Sequence, residues 1–425
     1  MGTDARGQSA DFAALRRLPS CRVHTLEVPE PPTIDLREAA SRAVRRPLAS
    51  PPLSMLAAGK RRVVVVTSDA TRAVPSRDLL GIVLEELAVA GVPADAIDLL
   101  IGGGAHRAPT QGELEAMLGR ELLAQLHVHI HDAKASEVGR VGTSRRGTGV
   151  LVNRLVAEAD LVIALGLVEP HEFAGFTGGP KAILPGVCAY ETILANHSLE
   201  MLSHPQARCG EVVRNPIHQE MVEGADMARL AFVLNVAVDS ALRPIAVAAG
   251  NHVEAQRSLV EFIVAHNSVE LDAAPDVVVS VPGAPLDLNL YQSVKALAAI
   301  EPVLERRSAV VLSSACREGI GPPEVLAAFH GASKPEDVLA RLSVDYCVEM
   351  NAALILARFL LKCPKLHIHS AGLSDAEIRT LQATTAPDLA VTVEHLVAGA
   401  RTHKPCPNLV VVSRPQRLLL TLSAS

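Results

Sequence analysis

The chain has 425 residues, of which 49% are hydrophobic and 20% charged, and its formal net charge is −6 at pH 7. Both signs of charge are interspersed, which excludes binding of nucleic acid through a basic surface, and no run of about 18 apolar residues is present to span a membrane. Seven scattered cysteines without a CxxC pair and an N-terminus without an apolar leader predict reduced thiols and a cytoplasmic location.

Short β-branched runs alternate with longer helical stretches from residue 61 onward, a pattern typical of parallel sheets with helical crossovers. Residues 1–58 are rich in Pro and Arg, and we expect them to wrap the first domain loosely. The predicted buried strands of the first domain are residues 63–66, 97–101 and 161–165. Those of the second domain are residues 277–281, 309–312 and 366–368.

This pattern predicts an α/β fold of two domains with mainly parallel sheets and an active site in the cleft between them. We place the boundary near residues 271–275, with residues 1–272 forming the N-terminal domain and residues 273–405 the C-terminal one. The last apolar run, residues 409–412, predicts that residues 406–425 return to the first domain.

Polar side chains follow each of the first three predicted strands. Residues 68–75 read SDATRAVP, residues 102–107 read GGGAHR, and His171 follows the third strand closely. Ligands of open parallel sheets bind beyond the carboxyl ends of the strands. We therefore expect four side chains to converge there: Asp69, Arg72, His106 and His171.

Residues 171–186, HEFAGFTGGPKAILPG, are the densest segment of the chain and are here called the glycine segment. Three glycines within five positions let a backbone approach a ligand closely. The segment does not fit a phosphate-binding loop, because Pro180 precedes Lys181 and Ala182 follows it. Residues 102–107 do not fit the dinucleotide fingerprint either. A surface turn is one interpretation, and a precisely held Lys181 amine is the one we favour.

Three further groups of residues invite a functional interpretation. Residues 190–201 are predicted to form one helix that points His197 inward, either as a hydrogen-bonded core histidine or as a metal ligand. Residues 285–295, PLDLNLYQSVK, are predicted to begin a helix that is either solvated or forms a second lip of the cleft. Alternating histidines at positions 127, 129 and 131 are interpreted as an exposed strand edge.

Taken together, these motifs resemble the nickel-pincer lactate racemase family. The resemblance runs in order over roughly residues 60–320 and is carried by residues 68–75, 104–107, 171–186, 190–193, 196–198, 285–287 and 291–295. It is specific for the family, whereas the substrate within the class of 2-hydroxy acids stays unassigned.

The resemblance implies a racemase or epimerase of a small 2-hydroxy acid that works by hydride abstraction through a 2-keto acid. It implies a nickel-pincer pyridinium mononucleotide bound covalently to Lys181, with His197 as the nickel ligand and His106 and His171 as the acid/base pair. Substrate binding is assigned to Arg72, Tyr291, Gln292 and Lys295. Further cofactor contacts are assigned to Asp69, Thr71, Phe176, Gly178 and Gly179. We further expect Asp69 to orient Arg72 or the cofactor.

This chain departs from the common lactate racemase pattern at three positions, Ala73, Pro180 and Leu288. The expected partners are the substrate and the proteins that synthesise the cofactor. A second copy of the chain, forming a homodimer, is a further candidate partner. Two alternatives are a zinc hydrolase that uses the same histidines and a non-catalytic homologue that binds the cofactor. The first needs three protein ligands around the metal, and the second fits poorly with the full set of acid/base and carboxylate-binding residues.

Overall fold

The computed structural model describes Leu15, residues 21–27 and residues 30–423. The chain divides into two compact units. We call residues 30–266 the N-terminal unit, and residues 267–425 with those before residue 30 the C-terminal unit. Both are α/β units built around a six-stranded sheet.

The N-terminal unit holds a sheet in the order β11-β10-β7-β2-β3-β4, parallel except for the edge strand β11. Its strands are β2 (Val63–Ser68), β3 (Ile97–Gly102), β4 (His127–Ile130), β7 (Leu161–Leu167), β10 (Leu230–Val238) and β11 (Pro244–Gly250). The central strands are buried on both faces, which explains their continuous apolar runs.

Two small antiparallel pairs and a set of helices complete the N-terminal unit. The pairs are β5 (Val138–Thr143) with β6 (Gly149–Asn153), and β8 (Pro170–His171) with β9 (Gly175–Phe176). The helices are α1 (Leu36–Arg45), α2 (Leu53–Ala57), α3 (Ser76–Val89), α4 (Gln111–Gln125), α5 (Arg154–Glu158), α6 (Tyr190–Asn196), α7 (Leu199–Ser203), α8 (Pro216–Met227) and α9 (His252–Asn267). The last residue of α9 is the first of the C-terminal unit.

One face of the N-terminal sheet packs against α1 to α4 around residues such as Val65, Leu99 and Ile163. Ala40 and Val44 of α1 and Leu53 of α2 belong to this core and are fully buried. The expectation that residues 1–58 wrap the domain loosely is therefore wrong for residues 36–57, because the apolar face of α1 is part of the core.

The C-terminal unit holds a wholly parallel sheet in the order β1-β17-β13-β14-β15-β16. Its strands are β1 (Arg22–Leu26), β13 (Val277–Val281), β14 (Ala309–Ser313), β15 (Lys365–His369), β16 (Thr384–Thr385) and β17 (Asn408–Ser413), beside the pair β12 (Ser268–Leu271) and β18 (Leu419–Leu422). Its helices are α10 (Leu290–Ile300), α11 (Pro323–Phe329), α12 (Pro335–Leu342), α13 (Asn351–Lys362), α14 (Asp375–Thr380) and α15 (Leu389–Ala400).

All six predicted strands are present, but the predicted domain limits need three corrections. The expected return of residues 406–425 to the first domain is wrong, because β17 lies between β1 and β13 and β18 pairs with β12. Strand β1 also belongs to the C-terminal unit, although residues 1–272 were assigned to the N-terminal one. The division falls between His266 and Asn267 rather than at residue 272.

The described helices include none that is both long enough and apolar enough to cross a membrane.

Candidate functional site

The carboxyl ends of β2 and β3 bring Asp69 and His106 into direct contact. The Oδ2 atom of Asp69 lies 2.8 Å from Nδ1 of His106. Its Oδ1 atom accepts hydrogen bonds from the backbone N–H and the hydroxyl of Thr71, at 3.1 and 2.6 Å. Burial alone would raise the pKa of Asp69, but attraction to His106, these hydrogen bonds and the charge of Arg72 lower it to about 2. Asp69 is therefore ionised at neutral pH and favours the proton of His106 on Nδ1.

The glycine segment packs directly on the ends of these strands. The backbone N–H of Gly104 donates to the carbonyl oxygen of Gly186 over 3.0 Å. A Cβ atom at Gly102 would lie 2.9 Å from the same oxygen, a distance that side chains do not tolerate. The bare backbone of residues 102–104 thus lets the segment that carries Lys181 approach the loop that carries His106.

A short hairpin forms the first part of the glycine segment. Strands β8 and β9 pair His171 with Gly175, whose φ of +81° lies in the left-handed region that favours glycine. A Cβ atom at Gly175 would lie only 2.1 Å from the carbonyl oxygen of Glu211. Gln256 of α9 donates its side-chain amide to the carbonyl of Thr177 over 2.9 Å and holds the middle of the segment.

His171 is buried at the start of this hairpin. Its Nδ1 atom lies 3.2 Å from a carboxylate oxygen of Glu172 and 3.4 Å from the backbone nitrogen of Ala174. The Ala174 backbone N–H donates the hydrogen bond to Nδ1. Each of the two predicted acid/base histidines thus has a buried carboxylate beside Nδ1.

The ring of Phe173 lies against both His171 and His197. The ring centroids are 4.6 Å apart for the first pair and 4.9 Å for the second, and both contacts are edge-on. This stack connects the hairpin to the end of α6.

His197 is buried and its side-chain Nδ1 has no hydrogen-bond partner among the described residues. Burial and then the positive charge of Lys181 lower its pKa to about 3, so the imidazole is neutral at physiological pH. The prediction of one helix through residue 201 is wrong, because α6 ends at Asn196 and Ser198 caps the new helix α7. The inward position predicted for His197 is nonetheless correct.

Arg72 pairs with a carboxylate that the sequence motifs did not include. Its Nη1 donates to Oε1 of Glu169 over 3.1 Å, and each side chain is only 14% exposed. Among the described residues, the Asp69 carboxylate bonds to His106 and Thr71, so it does not orient Arg72 by a direct hydrogen bond. That Asp69 orients the cofactor stays a prediction.

In the C-terminal unit, Asn289 caps α10 by accepting a hydrogen bond from the backbone of Gln292 over 3.0 Å. Tyr291 and Lys295 lie one helical turn apart, and Gln292 and Lys295 are buried. The start of α10 is therefore not the solvated helix end that was the alternative interpretation.

Most of the predicted N-terminal residues are brought together by these contacts, and their roles stay predictions. The Thr71 hydroxyl lies near both Asp69 and His106. The backbone of Gly178 and Gly179 packs against the side chain of Gln256. Phe176 is fully buried. Glu169 and Glu172 were missed, although both come within five residues of the end of β7, where the sheet rule predicts a ligand site.

The alternating histidines do not form one exposed edge. His129 contacts Asp98 over 2.8 Å, and His127 is exposed on the edge strand β4. His131 is buried and bonds to the carbonyl of Cys188 and to Asn153, at 2.8 and 3.1 Å. It therefore supports the chain just after the glycine segment, contrary to the prediction of an exposed edge.

Within the described part of the chain, no group of three or more His, Cys, Asp or Glu side chains is arranged to hold a metal ion. A zinc hydrolase site needs three protein ligands. The described geometry therefore does not favour the hydrolase alternative.

Two family models match this chain. The model of the lactate racemase N-terminal domain matches residues 15–210, and that of the lactate racemase C-terminal domain matches residues 269–412.

Two curated relatives are similar over most of the chain. The lactate racemase of Thermoanaerobacterium thermosaccharolyticum is 37% identical over 329 residues, which cover 76% of this chain and 77% of the relative. The lactate racemase of Lactiplantibacillus plantarum is 36% identical over 292 residues, 67% of each chain.

Two solved structures share the fold. The lactate racemase apoprotein from Thermoanaerobacterium thermosaccharolyticum superposes with a TM-score of 0.86 at 31% identity, covering 95% of this chain and 96% of that one. A crystal structure of a protein from Thermotoga maritima has a TM-score of 0.72 at 16% identity, covering 93% and 100%, and shows the fold alone.

Proposed function

The chain belongs to the lactate racemase family and is an isomerase, and we propose that it inverts the stereocentre of a small 2-hydroxy acid by hydride transfer through a 2-keto acid. The observation that carries this proposal is the pair of buried carboxylate–histidine contacts, Asp69 with His106 and Glu172 with His171. A racemase needs two such groups, because the two enantiomers present their hydroxyl to different sides of a site.

The two histidines move the hydroxyl proton. With its proton held on Nδ1 by ionised Asp69, His106 keeps the Nε2 lone pair as a base for the substrate hydroxyl. His171 is the corresponding group for the other enantiomer, with Glu172 beside its Nδ1. The histidine on the opposite side must then carry a proton on Nε2, which it gives to the carbonyl oxygen as the opposite enantiomer forms. The two histidines exchange these roles in the reverse direction.

Arg72 holds the substrate carboxylate while the rest of the molecule turns. A guanidinium can bind a carboxylate through two parallel hydrogen bonds, which fixes one end of the substrate and leaves a single axis for rotation. Tyr291, Gln292 and Lys295 are proposed as further substrate contacts, on the strength of the motif at the start of α10.

Lys181 and His197 fit the nickel-pincer nucleotide that the family resemblance implies. His197 offers a buried, neutral imidazole whose Nδ1 has no partner in the described part of the protein, as a metal ligand requires. Lys181 is close enough for its charge to affect His197. The same cofactor could therefore be attached to Lys181 and have its nickel coordinated by His197. When bound, this group supplies a hydride acceptor.

The substrate is proposed to be lactate or a close analogue. The named activity of both curated relatives is lactate racemisation, and the acid/base histidines and Arg72 suit any small 2-hydroxy acid. The chain departs from the common pattern at Pro180, Ala73 and Leu288. Because of these departures, lactate is the first acid to test and is not taken as the established substrate.

The proposal is tested by producing the chain together with the proteins that synthesise the cofactor and measuring intact mass, nickel content and racemisation of lactate. We expect an adduct on Lys181, bound nickel and inversion of the acid. Lys181→Ala is expected to lose all three, while exposed Lys365→Ala in the C-terminal unit keeps them. Full activity of Lys181→Ala would overturn the tether, and an adduct without inversion of any 2-hydroxy acid would overturn the reaction.

A further inference from the structure

Glu169 fixes the position of Arg72 through a partly buried ion pair. The Nη1–Oε1 distance is 3.1 Å, and both side chains are 14% exposed, which makes this pair far less solvated than most ion pairs of the N-terminal unit. Solvated pairs contribute little to the geometry of a site, whereas shielded ones hold their partners in place.

The backbone of Glu169 is itself held from two sides by Thr177 of the glycine segment. The N–H of Glu169 donates to the Thr177 hydroxyl over 3.0 Å, and the N–H of Thr177 donates to the Glu169 carbonyl over 2.9 Å. The hydroxyl in turn donates to the carbonyl of Leu167, the last residue of β7, over 2.6 Å. These bonds connect Arg72, through Glu169, to the same segment that carries Lys181.

We propose that Glu169 is a positioning residue that orients Arg72 toward the substrate carboxylate and, by its own charge, makes the site select acids with one carboxylate over acids with two. The inference rests on the proposed function, in which Arg72 binds that carboxylate. The orienting part follows from the hydrogen bond, and the selective part follows from the charge.

The charges around Arg72 explain the selectivity. Glu169 bonds to Arg72 and the charge of Arg72 also acts on Asp69, so two carboxylates with at most 14% exposed side chains share this guanidinium. One substrate carboxylate can share that guanidinium with Glu169. A second carboxylate on the substrate meets the negative charge of Glu169 in a poorly solvated place, where repulsion is strong.

Two substitutions separate orientation from charge. Glu169→Gln keeps an oxygen that accepts the hydrogen bond from Arg72 but removes the negative charge. Glu169→Ala removes both. We expect Glu169→Gln to bind L-lactate within about threefold of the wild type and to improve L-malate binding relative to L-lactate by about tenfold. Glu169→Ala is expected to weaken L-lactate binding by about tenfold, because Arg72 loses its fixed position.

The measurement is isothermal titration calorimetry of the full-length protein without cofactor, which we expect to bind these acids without converting them. The matched control is Glu86→Gln, which removes the charge of another buried carboxylate that pairs with an arginine, Arg45, at 2.7 Å between α3 and α1. This control is expected to leave the malate-to-lactate ratio of dissociation constants unchanged.

Three results would overturn the inference. The first is equal weakening of lactate binding by both Glu169 variants, with an unchanged malate-to-lactate ratio of dissociation constants. The second is no effect of either variant on binding. The third is no binding of lactate by the wild type, in which Glu169 already orients Arg72. Failure of the proposed function looks different: the cofactor-loaded wild type would invert neither acid while the Glu169→Gln shift in binding ratio persists.

Discussion

The carboxyl ends of the two sheets differ in the kind of side chain that fills them. In the N-terminal unit they hold ionic pairs, with Asp69 on His106 and Glu169 on Arg72. In the C-terminal unit, the start of α10 is held by hydroxyl contacts such as that of Ser293 with Ser314 at 2.7 Å, beside one longer ion pair of Arg317 with Asp287 at 3.7 Å. Under the proposed function, the same parallel architecture serves proton transfer at one sheet and holds the start of a helix at the other.

The largest expected effect comes from substitutions in the Asp69–His106 pair of the N-terminal unit. His106→Gln removes the base and is expected to lower kcat by about 10²–10⁴-fold. Asp69→Asn leaves the ring in place but no longer favours the proton on Nδ1, so we expect a smaller loss, on the order of tenfold to a hundredfold. Racemisation assays of the cofactor-loaded variants measure both.

Ser314→Ala is the counterpart in the C-terminal unit. It removes a neutral hydroxyl contact, so its expected cost is about 1 kcal/mol of unfolding free energy, with kcat within about threefold of the wild type. A loss of kcat by Ser314→Ala as large as that of Asp69→Asn would show that the contrast between the two sheets is false.

The close packing of the glycine segment gives the next largest effect, on stability. Gly175→Ala places a Cβ atom 2.1 Å from the Glu211 carbonyl at a positive φ, and we expect a loss of about 1–3 kcal/mol. Gly81→Ala, in the middle of α3 where nothing lies within 4 Å of the added atom, is expected to gain about 1 kcal/mol. Urea unfolding of the two variants tests the pair, and equal effects would contradict the packing described for the hairpin.

The smallest expected effect is a change in acid sensitivity. Burial, opposed by a bond to the Ala174 backbone and reinforced by the charge of His252, lowers the pKa of His218 from 6.5 to about 4. Between those values the unfolded chain binds a proton that the folded chain does not, so stability falls as the pH drops through that window and is fully present above pH 6.5.

We therefore expect His218→Gln to reduce the loss of unfolding free energy between pH 7 and pH 5, by up to about 2 kcal/mol. The comparison variant is His367→Gln in the C-terminal unit, whose half-buried imidazole also has a lowered pKa, from burial and then the charge of His395. Its effect is expected to be smaller. Urea unfolding at the two pH values measures both, and an unchanged pH dependence in His218→Gln would contradict the assignment.

The sequence predicted the strands and the convergence of Asp69 and His106 because a buried apolar run and the end of a parallel strand are both local features. It did not predict which sheet β17 joins, since four apolar residues fit either one. It also did not predict the break of the helix at His197, where a capping serine at position 198 overrides the apolar spacing.

Glu169 and Glu172 were missed for a related reason. A glutamate in a loop is usually solvated, and only the fold shows that Thr177 holds the backbone of Glu169 and that Glu172 is turned inward. The one signal available was their place just after β7, next to His171. The pairing of Glu169 with Arg72 joins residues 97 positions apart, which spacing along a chain does not encode.

The most direct test of the proposed reaction uses the cofactor-loaded protein and a 2-hydroxy acid carrying deuterium on its α-carbon, beginning with lactate. The account predicts that the inverted product retains most of the deuterium, because a hydride is removed and returned within the site while only the hydroxyl proton exchanges through His106 and His171. Inversion with rapid loss of the label to water would contradict it and indicate proton abstraction from the α-carbon.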